Sequence, residues 1–252
     1  MRTINFSSAV LALIVCASAI LPAHATPPTG TPPLPPPRPP ELRGARPAPT
    51  PPSEPNAPAT NERTDGPISD QECLDRLKTL GVQFETALPT AAKEACTIDT
   101  PVRLKRVPSR AGTVQLPDEP VLACRFGERL AHWIGDLVAP VLAGRLSADL
   151  KAVRTGPGFE CRNRNRAAAG KLSAHATGLA VDIASFELVS GKALPVKSDG
   201  DERGHATVEA VRTAACGWFT TVLGPGSDAA HSDHMHVDIL QHGSSERYRI
   251  CQ

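Results

Sequence analysis

The chain has 252 residues, of which 26 are proline and only 4% are aromatic, and its formal charge at neutral pH is +1. A near-neutral chain with no basic stripe interleaved with aromatics excludes nucleic acid as a natural partner. Apart from one short apolar run at the start, no segment is apolar enough to span a bilayer, which excludes stable membrane insertion.

The basic start Met1-Arg2, the apolar run from Ala9 to Leu21 and the triplet Ala23-His24-Ala25 read as a secretory signal peptide over residues 1–25, cut before Thr26. The run is too short to be a comfortable membrane anchor. Val15 stands where a small residue would have to precede a lipidated Cys16. Residues 26–68 hold most of the prolines, including Pro35-Pro36-Pro37-Arg38-Pro39-Pro40. Such a stretch builds no core and favours extended polyproline II conformations, so it reads as a disordered spacer. The folded domain is then 69–252, an ordinary size for one core and expected to be a monomer.

Within it, Ser69-Asp-Gln-Glu72 is a capping box that opens a short helix through Leu74, Leu77 and Leu80, with Gly81 as its stop. Leu122, Phe126, Leu130, Trp133 and Leu137 recur at helical spacing and predict a helix from about Glu119 to Val138, stopped or kinked by Pro140. A strand is expected over Asp149–Val153, followed by a Gly-Pro-Gly turn at 156–158 and a polar loop over Arg162–Lys171. Further strands are expected over Leu179–Phe186, Thr220–Leu223 and His236–Ile239, with a helix over Thr207–Trp218. The sum is α+β, with a small, mostly antiparallel sheet and helices packed on one side.

Once Cys16 leaves with the signal peptide, six cysteines remain. An even count in an exported chain implies three disulfides. Pairing in chain order would join Cys73 to Cys96, Cys124 to Cys161 and Cys216 to Cys251. No Cys-x-x-Cys pair suggests a thiolate metal site.

Two stretches carry chemistry. In the first, Ser173-Ala-His175-Ala-Thr-Gly178-Leu-Ala180-Val-Asp182, a loop enters a strand, with His175 at the strand mouth and Asp182 on it. The second, His231-Ser-Asp233-His234-Met-His236-Val-Asp238, sets three histidines and an aspartate within six residues, and His234 and His236 point to one face of a strand. Two imidazoles and a carboxylate form the ligand set of a catalytic zinc ion, with one position left for water. The site forms only if the two stretches meet in space.

These residues resemble a known pattern. Ser-x-His-x-x-Gly-x-Ala-x-Asp, followed by Asp-x-x-His and His-x-His, is similar to the zinc peptidases of the LAS superfamily, which takes in D-alanyl-D-alanine carboxypeptidases, murein endopeptidases and Hedgehog domains. The wider pattern, with Cys161-Arg162, Leu223-Gly-Pro-Gly and the cysteine set, resembles the bacterial extensin-like C-terminal family over most of the chain from Cys73 to Cys251. The resemblance implies a Hedgehog/DD-peptidase-like fold and one zinc ion on His175, Asp182 and His236. It implies a base at Asp233, by carboxypeptidase spacing, or at His234, by endopeptidase pattern. Arg162 is implied to steady an oxyanion or to grip a substrate carboxylate. Ser173 would contact substrate or orient His175, and Asp238 could orient a ligand. The function so implied is an exported peptidase in the periplasm or cell wall, hydrolysing peptidoglycan stem peptides or crosslinks next to D-alanine. The alternative is a non-catalytic wall-binding module that keeps its zinc.

Overall fold

The computed structural model describes residues 70–87, 96–197, 201–243 and 248–252. The expected signal peptide, spacer and Ser69 cap lie outside these residues. Among the described residues no helix is long and apolar enough to cross a membrane.

The fold is α+β. Ten strands form one sheet in the order β1 (Gln83–Thr86), β2 (Pro101–Ser109), β3 (Gly112–Gln115), β5 (Leu150–Thr155), β6 (Ala180–Leu188), β9 (Met235–Asp238), β8 (Thr221–Leu223) and β10 (Ile250–Cys251). Two short strands pair off this path, β4 (Val121–Ala123) on β2 and β7 (Ala193–Pro195) on β6. Among the strand pairs of the described residues, only β3–β5 and β8–β10 run parallel. The sheet is larger than the sequence reading suggests, because β1, β2, β3 and β7 carry too many charged, proline or glycine residues to show a clean alternation. Pro101 and Pro108 fall in β2, at positions where a proline argues against a strand.

Helix α1 (Asp70–Leu80) packs beside α2 (Cys124–His132), where the Arg76 guanidinium donates two hydrogen bonds to Glu128 at 2.7 and 3.0 Å. A π-helical stretch, Trp133–Val138, joins α2 to α3 (Ala139–Leu146). Trp133 is fully buried and lies edge-on to Phe219 with ring centres 5.5 Å apart, and Phe126 touches the same ring. Helix α4 (Glu202–Ala215) starts earlier than expected because Asp201 caps it, accepting the Gly204 N–H at 2.9 Å.

Three expectations are overturned. The helix expected from Glu119 begins only at Cys124, because Val121–Ala123 is spoken for as a strand: it pairs with β2, and Ala123 N–H bonds Gly178 O. Pro140 does not stop the helix. It sits in the first turn of α3, where a missing N–H is tolerated. The pairings Cys73–Cys96 and Cys124–Cys161 are replaced by Cys73–Cys124 and Cys96–Cys161, while Cys216–Cys251 stands. The reason is packing: α1 against α2 sets Cys73 opposite the first turn of α2, which leaves Cys96 for Cys161.

The strand that matters most for function is β6. Val181 and Ile183 face the core, and so do Phe186 and Leu188, so the alternation slips by one residue at Ala184. The β5–β6 register skips there too, which marks a β-bulge. Asp182 therefore points to the face opposite the aromatic core.

Candidate metal centre

Asp182 and His236 lie directly opposite each other on the antiparallel strands β6 and β9. Cross-strand partners share a face, so register alone brings the two side chains together. His175 arrives from a 3-10 turn, Ala174–Thr177. Ser173 caps this turn by accepting the His175 N–H at 3.4 Å, and Gly178 closes it at φ 68°. A side chain at Gly178 would run into Ala123 N, at 2.8 Å. The backbone of β4 thus clamps this turn on one side and, through Val121, clamps Pro157 and Phe159 on the other.

Three donor atoms converge. His175 Nε2 is 3.2 Å from Asp182 Oδ1 and 3.1 Å from His236 Nδ1, and His236 Nδ1 is 2.9 Å from Asp182 Oδ1. The outer nitrogens fix the tautomers. His175 Nδ1–H donates to Gly158 O at 2.6 Å, and His236 Nε2–H donates to Asp238 Oδ2 at 3.0 Å. Both inner nitrogens then present lone pairs to a carboxylate oxygen. Three acceptors facing one another within 4.8 Å call for a cation between them. Ligands in a tetrahedron at about 2.0–2.1 Å from a metal stand roughly 3.3–3.4 Å apart, close to the spacing seen here. The group could hold a divalent metal ion.

Without a metal, a proton takes that role. Burial lowers the pKa of His236, but Asp182 and Asp238 outweigh it and push the imidazole up to about 9. Burial also acts to raise Asp182, yet its hydrogen bonds with His175 and His236 hold it well below the usual carboxylate range. A folded-state pKa above that of a free histidine means His236 is protonated at neutral pH, so loading the site displaces a proton. Metal affinity is expected to rise up to about tenfold per unit from pH 6 to 8 and to level off above about 9. Isothermal titration in buffers of differing ionisation enthalpy counts the proton released.

Asp233 and His234 form a pair beside the triangle. His234 Nδ1–H donates to Asp233 Oδ1 at 2.8 Å, and His234 Nε2 lies 3.7 Å from Asp182 Oδ1. The Asp233 side chain is 68% exposed, and the hydrogen bond from His234 holds its pKa down. Of the two, His234 faces the ligands, and the side-chain hydrogen bond of Asp233 among the described residues is the one from His234. His231 is buried next to them, with Nδ1–H on Asp228 Oδ1 at 2.7 Å.

The Arg162 side chain is 16% exposed. It donates from Nε to Glu160 Oε2 at 2.9 Å and from Nη2 to Asp182 Oδ2 at 3.5 Å. Glu160 is gripped in turn by both terminal nitrogens of Arg166. Burial acts to raise Glu160, but the two arginines hold its pKa below the usual range. A cavity of about 110 Å³ opens beside the site, lined by Arg162, Arg164, Ser173, His231, His236 and Asp238. Arg164 has no side-chain partner among the described residues.

Sequence reasoning missed Gly158, Glu160 and Asp228. Gly158 alone leaves a signal. At φ +78°, with a Cβ placed 2.5 Å from Val121 O, only glycine fits, and the Gly-Pro-Gly run that reads as a plain turn delivers the carbonyl that orients His175.

Residues 71–252 match the family described as extensin-like protein C-terminus. No curated protein and no solved structure matches the chain.

Proposed function

We propose, from the premise that the chain belongs to the extensin-like protein C-terminal family, that it is an exported zinc peptidase of the LAS type. Its substrates would be peptidoglycan stem peptides, cut next to D-alanine in the periplasm or cell wall. The reading is carried by the convergence of His175 Nε2, Asp182 Oδ1 and His236 Nδ1, with both outer N–H groups already held. Two histidines and one carboxylate with an open fourth position are the donor set of catalytic zinc. Three disulfides suit an oxidising compartment.

Bound there, zinc would polarise a peptide carbonyl and bring the pKa of a water toward neutrality. The residues around it have separate tasks. His234, with Nδ1–H anchored on Asp233, keeps Nε2 free to take a proton on the ligand side. The two candidate bases thus act in series, Asp233 orienting and His234 moving the proton. Arg164, unpaired at the cavity wall, would meet the carboxylate of a terminal residue.

The test is incubation of the zinc-loaded protein with muropeptides, with products read by mass spectrometry. Loss of one terminal alanine is expected, abolished by chelator and slowed about 10²–10⁴-fold in His234→Ala. Zinc uptake with no product would sink the peptidase reading and favour the wall-binding module.

A further inference from the structure

We propose that Glu160, acting through Arg162, is a positioning residue that keeps one oxygen of Asp182 free for the metal. The inference rests on the metal reading of His175, Asp182 and His236.

A carboxylate on a strand turns easily about its last torsion, and its two oxygens are chemically alike until something distinguishes them. Here Oδ1 faces the two imidazoles, while Oδ2 takes the Arg162 guanidinium. An arginine fork facing a lone carboxylate prefers to grip both oxygens. Left to itself, Arg162 would draw Oδ1 out of the ligand triangle. Glu160 prevents this by taking Arg162 Nε at 2.9 Å, which removes the side-on Nε/Nη2 fork and sets the guanidinium so that Nη2 reaches Asp182 Oδ2. Arg166 fixes Glu160 by its own two contacts and completes an alternating string of four charges, Arg166, Glu160, Arg162 and Asp182.

The backbone of the same segment serves the other ligand. Gly158 O accepts from His175 Nδ1, Glu160 N–H donates to His175 O at 3.2 Å, and Arg162 O accepts the Ser173 N–H at 3.0 Å. Residues 158–162 therefore brace His175 with main chain and Asp182 with side chain. Arg162, already shared by two carboxylates, acts on the ligand rather than on substrate.

The test is a double-mutant cycle read by metal affinity, which requires no turnover. Zinc affinity would be measured by chelator competition, and the visible spectrum of the cobalt form recorded, for the parent, Glu160→Gln, Arg162→Met and the double variant. Glu160→Gln is isosteric and is expected to fold. It should weaken zinc about 10–100-fold and alter the cobalt spectrum. Arg162→Met should cost less, and the double variant should bind no worse than Arg162→Met alone, because the harm in Glu160→Gln comes from a freed Arg162. Additive losses, or a Glu160→Gln protein within about threefold of the parent with an unchanged spectrum, would overturn the inference while leaving the metal centre standing. A parent that takes up neither zinc nor cobalt would overturn the metal reading itself, and this inference with it.

Discussion

Asp182→Asn is expected to abolish zinc-dependent stabilisation while leaving the metal-free fold nearly intact. In the parent, zinc at about 100 times its dissociation constant should add about 2.7 kcal/mol, or roughly 5–11 °C in Tm for a domain of this size. In the variant the shift should vanish. Asp182 is the one carboxylate in the ligand triangle, and removing one partner of a buried charge pair costs about 3–5 kcal/mol. Against zinc that is a loss of roughly two to four orders of magnitude in affinity. The metal-free fold fares better for a specific reason. Above about pH 9, where His236 of the metal-free parent has lost its proton, an asparagine amide can donate to His175 Nε2 and His236 Nδ1, which in the parent then face a third acceptor. At that pH the metal-free variant should therefore lie within about 1 kcal/mol of the parent. Equal zinc shifts in both proteins would show that the triangle does not bind the metal.

The candidate ligands are legible in the sequence through the motif Ser-x-His-x-x-Gly-x-Ala-x-Asp and the later His-x-His, whose resemblance to a zinc-peptidase pattern implies the ligand set. His175 and Asp182 stand at the mouth and on the face of one strand, and His236 sits on another strand with its phase set by Met235 and Val237. What the sequence could not supply is pairing between distant segments. The register Asp182–His236, the clamp of β4 on both Gly178 and Pro157, and the bond from His175 to Gly158 each join residues far apart in the chain. The helix expected from Glu119 shows the same limit. Leu122 keeps helical spacing with Phe126, and both are fully buried, yet Leu122 is on a strand. Burial spaced four apart fits either element when a strand runs directly into a helix. The π-helical stretch is likewise tertiary in origin. Gly135 lies so near β2 that a Cβ there would come within 2.5 Å of Pro108 O, a contact with no trace in local propensity. Chain-order disulfide pairing breaks down on the same point, since α1 meets α2 through the Arg76–Glu128 pair, which sets Cys73 beside Cys124.

Removing the Cys96–Cys161 bridge should injure stability and the metal centre together, whereas removing Cys73–Cys124 should injure stability alone. The two bridges close loops of 65 and 51 residues, so chain entropy assigns each about 4 kcal/mol. With about 5–15 kcal/mol holding a typical domain, either Cys→Ser double variant should remain folded at low temperature, with Tm reduced by roughly 8–16 °C. Their positions differ. Cys161 lies between Glu160 and Arg162, in the middle of the segment that holds His175 through Gly158 and Asp182 through Arg162. Cys73–Cys124 ties α1 to the first turn of α2 and lies outside the 158–162 segment. Cys96→Ser/Cys161→Ser is thus expected to bind zinc at least about tenfold more weakly at a temperature where it is fully folded, an effect of the size seen when a ligand's outer partners are disturbed. Cys73→Ser/Cys124→Ser should bind it as the parent does. Thermal melts of the metal-free proteins and chelator competition on the same samples separate the two effects. If both variants lose affinity in proportion to stability, the bridge at Cys161 merely holds the fold. If only the first loses it, the bridge is part of the scaffold that aims the ligands.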